Sequence, residues 1–168
     1  MRRRYLTGSI LVLASFLFKP SNAFAQTTIT FDDLTDNGGG TAIANGYHGL
    51  NWSNFYVLNT ADYSGSVGEN GYTNGTVSGT NVAYNGYGSP ASFSGSNFTF
   101  NSAYFTAAWN NGLKIVVTGY EDSSPIDSLS FLVNPTGPTL ETFNWSGIDE
   151  VGFSSSGGTS AGYDGGGT

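Results

Sequence analysis

A single histidine, His48, and the absence of any cysteine set the first limit on chemistry. A thiol nucleophile is excluded, and a serine triad would have to be built on His48. That residue lies between Tyr47 and Gly49 just ahead of a strand-like run, where a surface-loop histidine is the ordinary reading. A glycosidase needs two carboxylates facing each other across a cleft, one with a raised pKa. Glu69, Glu121, Glu141 and Glu150 are available, but Glu121-Asp122 and Asp149-Glu150 fall at turns or strand starts, where solvated acids are normal. Asp32, Asp33 and Asp36 form a local oxygen-rich cluster beside Asn37 and a glycine run, able to supply carboxylate and carbonyl ligands to a hard cation such as Ca²⁺. Their spacing is not that of an EF-hand loop. The bland alternative is that Asp33 caps a turn and Asp36 is solvated.

Glycan binding has different requirements: flat aromatic faces for the C–H surface of a sugar ring, with amides or hydroxyls for its OH groups. Trp52, Tyr72, Tyr84, Tyr87 and Trp109 are the candidate ligand contacts, with Tyr56 beside them and Asn51, Asn54, Asn85 and Asn110 close in sequence. The loop tyrosines 72, 84 and 87 are least easily absorbed by a core. Alternation in 51–58 instead places Trp52, Asn54, Tyr56 and Leu58 on one side of a strand, so at least one large aromatic there is expected inside. Trp145, in a regular apolar region, is expected in the core.

The elements that must position these groups are strands. Apolar residues recur with period two, as in Ile29-Thr30-Phe31 and Phe98-Thr99-Phe100, and β-branched and aromatic types dominate. The pattern predicts strands over 27–32, 50–58, 81–85, 91–94, 98–108, 113–120, 126–133, 140–145 and 148–154. Asn-Gly pairs at 45–46, 70–71, 74–75, 85–86 and 111–112 supply the positive-φ residues of tight connections. No segment offers an amphipathic helix of ten residues or more. Many short strands separated by turns imply a sandwich or barrel, and the expected fold is an all-β antiparallel sandwich. Residues 59–97 are rich in Gly, Asn, Ser and Tyr and read as ordered loops across one face, whereas 98–154 hold most of the aliphatic residues.

Arg2, Arg3 and Arg4 precede an apolar run from Ile10 to Phe18 and then Ala23-Phe24-Ala25, the layout of an export signal. Residues 1–25 are therefore expected to be a signal peptide, and 26–168 a single secreted β-sandwich domain. Four of the five basic residues lie in that signal, leaving Lys114 against 12 acids, a net charge of −11. Such a surface repels phosphate backbones and anionic head groups, which disfavours nucleic-acid binding and electrostatic membrane docking; with no membrane insertion expected after signal cleavage, a neutral polysaccharide, a cation or an extracellular-matrix component is left as partner. After a strand at 148–154 the glycine-rich end from Gly157 to Thr168 leads to no further strand, so a closing last strand is expected to be missing and a sheet edge to stand unpaired.

The succession Ile29-Thr30-Phe31-Asp32-Asp33, Tyr47-His48-Gly49-Leu50-Asn51-Trp52-Ser53-Asn54-Phe55, Phe105-Thr106-Ala107-Ala108-Trp109, Val117-Thr118-Gly119-Tyr120 and Trp145-Ser146-Gly147-Ile148-Asp149-Glu150-Val151 resembles a group of secreted bacterial and fungal proteins. Some bacterial members carry an exosortase (PEP-CTERM) sorting tail. The resemblance covers most of 27–154. It implies a jelly-roll sandwich similar to carbohydrate-binding modules, with a structural calcium near the first and last strands at Asp32 and Asp33. Members continue past the glycine-rich loop into a strand with an Asp-Asn pair and then the tail; the sequence here ends before both. The expectation is a secreted, non-catalytic protein that recognises a neutral glycan. A pocketless structural protein of the cell surface or matrix, and a glycoside hydrolase, are the alternatives.

Overall fold

The structure, a computed structural model, describes residues 26–163, less the side chains of residues 64–67. The export signal expected at 1–25 and the final glycines fall outside the described residues. The chain folds as an all-β antiparallel sandwich, as the two-residue alternation predicts. In order, the elements are β1 Thr41–Ala42, β2 Asn51–Ser53, β3 Phe55–Asn59, α1 Thr60–Val67, α2 Gly71–Asn74, β4 Asn81–Asn85, β5 Ala91–Phe105, β6 Asn110–Asn111, β7 Leu113–Glu121, β8 Ser124–Val133, β9 Thr139–Ser156 and β10 Thr159–Ser160. They form a five-stranded sheet β2-β5-β9-β7-β8, a three-stranded sheet β1-β3-β4 and the small pair β10-β6.

The core is made by one long ribbon folded over itself. β9 pairs with β5 from Ala91↔Phe153 to Phe105↔Thr139, yet it pairs with β7 only from Glu150 to Ser156. On a flat ribbon Phe105 and Phe153 would stand ~45 Å apart, but their ring centroids are 6.1 Å apart. The fold-back occurs where the β5–β9 register shifts between Ser94 and Phe98, and where Asn144 (φ 54) and Gly147 (φ 77) take left-handed conformations. The distal half of the ribbon therefore stacks on the proximal half and on β7 and β8. Phe105 meets Phe131 of β8 at 5.0 Å, and Phe100 stacks on Phe143 at 4.6 Å. A Cβ placed on Gly119 of β7 would lie 3.0 Å from the Trp145 ring, so Gly119 is small because Trp145 occupies that space. Val117, Ile148 and Val151 are fully buried between the layers, each worth about 1.5–3 kcal/mol of transfer free energy.

The three-stranded sheet presents one side to this core. Phe55 packs on Phe153 at 5.5 Å, and Val57, two residues on, is buried on the same side. The opposite side carries Tyr56 and Leu58 of β3 beside their β4 partners Tyr84 and Val82. The two helices lie here, and side-chain amides start both. Asn59 Oδ1 accepts from the N–H groups of Ala61 and Asp62, and Asn70 Oδ1 from those of Tyr72 and Thr73. α2 approaches its neighbour so closely that a Cβ on Gly71 would collide with the Ala107 carbonyl; the Gly71 N–H donates to the Ala108 carbonyl at 2.9 Å. The glycine-rich end returns to the body: β10 pairs with β6, the Ala161 N–H donates to the Trp109 carbonyl at 2.9 Å, and the Asn74 amide donates to the Tyr163 hydroxyl at 3.4 Å.

The strand expected over 27–32 does not form. Phe31 adopts φ 65, which no ladder accommodates, and the Asn81 amide takes the carbonyls of Phe31 and Leu34 at 2.9 and 2.8 Å. The single strand expected over 50–58 is two strands in different sheets, divided at Asn54 (φ 56). Conversely, 91–94 and the first part of 98–108 join as β5, which ends at Phe105, and 140–145 and 148–154 join as β9. Among the described residues no helix is long and apolar enough to cross a membrane.

Candidate functional site

The tight 3₁₀ turn Gly86–Gly88 follows β4 and displays Tyr87. Asn54 sets this turn from the break between β2 and β3. Its side-chain amide donates to the carbonyls of Gly86, Ser89 and Pro90 at 3.2, 3.3 and 3.0 Å, while its backbone carbonyl accepts from the Gly86 N–H at 3.0 Å. Clamped in this way, Tyr87 takes φ 57 and is 98% exposed. A left-handed conformation at a residue with a Cβ costs about 1–2 kcal/mol, and an exposed ring recovers nothing from packing.

Beside Tyr87 lies a chain of aromatic rings. Tyr56 and Tyr84 are cross-strand partners with centroids 5.7 Å apart. Tyr72 of α2 meets Tyr84 edge-on at 5.4 Å, and Trp109 and Tyr63 in turn meet Tyr72 at 5.8 and 5.6 Å. Glycines let these rings approach the backbone. A Cβ on Gly86 would lie 2.6 Å from the Tyr56 ring, and one on Gly40 (φ 105) would run into the Tyr84 hydroxyl. Gly40 is held there by Asp36, whose Oδ1 accepts from the N–H groups of Gly38 and Gly40 and from the Thr41 hydroxyl, and whose Oδ2 accepts from the Asn59 N–H.

The result is a cleft of about 300 Å³ walled by Gly39, Gly40, Tyr56, Tyr72, Tyr84, Gly86 and Tyr87, at the small end of the range for ligand pockets. Burial, with the neighbouring phenols Tyr63 and Tyr84, raises the Tyr72 pKa to about 12 against a hydrogen bond with Trp109 that lowers it. Burial and the Asp36 charge raise Tyr84 as well. Both phenols therefore stay neutral at physiological pH and can donate as well as accept. No carboxylate is among the lining residues.

Three of the five expected aromatic contacts, Tyr72, Tyr84 and Tyr87, thus line one cleft, with Trp109 supporting Tyr72 from behind. Trp52 is placed elsewhere. Its indole donates to the Tyr47 carbonyl at 3.0 Å, and its ring packs on Phe31, Phe55 and Phe93 at 5.7, 5.5 and 5.3 Å. The alternation that paired Trp52 with Tyr56 fails because Asn54 breaks the strand between them. Tyr56, the remaining aromatic of the cleft, shares its strand face with Tyr84. Gly39, Gly40 and Gly86 carry no sequence signal beyond lying in turns.

The acidic candidates diverge. Asp36 is occupied by the four hydrogen bonds above. Asp33 accepts from the Tyr47 hydroxyl at 2.6 Å, which lowers the carboxyl pKa and raises that of the phenol beyond the usual tyrosine range, burial being the larger cause for Tyr47. Asp32 lies against Gly79, where a Cβ would meet its carboxylate. Among the described residues, no three acidic or histidine side chains gather as metal ligands would. His48 is exposed at φ 51 against the Tyr47 ring. Glu69, Glu121, Glu141 and Glu150 do not line the cleft. Gly158-Thr159-Ser160-Ala161-Gly162 has the Gly-x-Ser-x-Gly spelling of a hydrolase turn. Ser160 lies in β10, however, not at a strand-to-helix elbow, and its hydroxyl accepts from the Gly162 N–H at 3.2 Å. No protein-family model matches the chain, and no curated protein matches it either.

Proposed function

We propose that the chain is a secreted, non-catalytic carbohydrate-binding protein whose tyrosine cleft takes a neutral glycan. The observation that carries this reading is Tyr87: a large ring held in a strained conformation, almost wholly in solvent, at the rim of a cleft made of other tyrosines. Strain without a packing return is characteristic of functional positions. The four tyrosines of the cleft, Tyr56, Tyr72, Tyr84 and Tyr87, provide the stacking faces and hydroxyls that a sugar requires, and a cleft without carboxylates in its wall supports binding over hydrolysis. The export-type N-terminus and the net charge of −11 beyond it are consistent with an extracellular, uncharged partner.

The experiment is a glycan array of neutral polysaccharide fragments probed with the purified protein and with Tyr87→Ala. Binding by the parent and its loss in the variant supports the reading. Absence of binding by the parent overturns it in favour of a structural extracellular protein. Melting with calcium and with a chelator tests the structural cation proposed at Asp32, Asp33 and Asp36: occupancy raises the melting temperature in calcium, and identical curves exclude it.

A further inference from the structure

A second recess lies on the outer face of the five-stranded sheet, away from the tyrosine cleft and sharing no lining residue with it. It is a groove of about 360 Å³ whose walls include Ser53, Ser92, Thr118, Tyr120, Glu150 and Gly152. Strand register sets these residues in two rows. Ser53, Ser92, Gly152 and Thr118 are successive partners across β2, β5, β9 and β7, at steps of ~4.8 Å. Glu150 and Tyr120 are partners in the next row. Gly152 leaves a notch between the hydroxyls, and the Tyr120 ring leans over it, 3.2 Å from where a Cβ would be.

These groups differ from Asp36, whose carboxylate already accepts four hydrogen bonds. Glu150 and Tyr120 are half-buried, and among the described residues neither side chain has a hydrogen-bond or ionic partner. A carboxylate partly removed from water and left without a donor favours a cation. Tyr120, the cross-strand partner of Glu150, adds an aromatic ring beside the carboxylate, a group able to attract the same cation, and a surface of net charge −11 raises cation concentration near it. The hydroxyl row alongside matches a ligand that itself carries hydroxyls.

We infer that this groove binds an amino-sugar chain with free amines, an ammonium group seated between Glu150 and Tyr120 and ring hydroxyls lying along Ser53, Ser92 and Thr118. This inference does not depend on the tyrosine cleft. Calorimetric titration of the purified protein with a glucosamine hexamer and with its fully N-acetylated counterpart tests it. The free-amine hexamer binds at least tenfold tighter, Glu150→Gln removes that preference, Tyr120→Ala weakens binding, and Tyr87→Ala leaves it unchanged. Equal affinity for the two hexamers, no binding of the free-amine hexamer, an unaffected Glu150→Gln protein, or loss of binding in Tyr87→Ala each overturns it. Glu150→Gln preserves side-chain shape at a half-exposed site, so an unchanged melting temperature confirms that the variant is folded.

Discussion

Tyr87 raises the free energy of the unliganded protein. Replacing it with alanine leaves the melting temperature within a few degrees of the parent and lowers affinity for a neutral glycan about tenfold or more, the scale of one lost aromatic contact. Tyr87→Gly goes further, because it also relieves the left-handed strain, and it stabilises the fold by about 1 kcal/mol in thermal denaturation. Tyr72 makes a different prediction. Its folded pKa of about 12 lies above the unfolded 10.0, so its burial contributes stability that is fully present below pH 10 and is lost as pH rises towards the folded value. Tyr72→Phe has no proton to lose and so shows a flatter fall in melting temperature over that interval. A parent and variant with parallel alkaline profiles would remove the case for a buried phenol in the cleft.

Among the elements, the folded ribbon has the least room for change. Gly119 lies where a Cβ would be 3.0 Å from the Trp145 ring and 3.4 Å from Ile148. Gly119→Val forces the layers apart and destabilises by about 1–3 kcal/mol, measured by chemical denaturation with the denaturant slope unchanged. Alternation marked β4, β7 and β8 to within two residues because each keeps one side inward throughout. It marked β5 and β9 as four pieces because the ribbon turns from one layer to the other at Gly95–Asn97 and Ser146–Gly147, where the pattern lapses although pairing resumes. The strand expected at 27–32 was invisible as a loop because what holds it open is Asn81, some fifty residues away. The helices were hidden for a related reason: their start signals are Asn59 and Asn70, in a stretch where asparagine is common. In the cleft, tyrosines outside the aliphatic half were identifiable by composition. Their convergence depends on glycines that admit the rings and on Asn54, whose effect appears only in three dimensions.

At the scale of the whole molecule, charge decides which partners can approach. With Lys114 the only base against 12 acids beyond the export-type segment, sulfated or uronate polysaccharides are repelled over a distance set by the ionic strength. Retention on a column of a neutral glycan is therefore insensitive to salt, whereas a heparin column passes the protein unretained even in dilute buffer. Salt-sensitive retention on the neutral column would show that charge, not ring stacking, does the recognising.

Since β5 and β9 each run through both layers, neither layer can be completed without the other. Peeling one away unzips the pairing of its opposite number, which leaves little scope for a half-assembled species. Most contacts also join residues distant along the chain, so the search for them is slow. Rapid-mixing experiments that follow tryptophan emission are expected to give one exponential phase in milliseconds to seconds, with the same rate reported by far-ultraviolet dichroism. A fast phase in dichroism that precedes the tryptophan signal would mean that the ribbon forms open and closes afterwards.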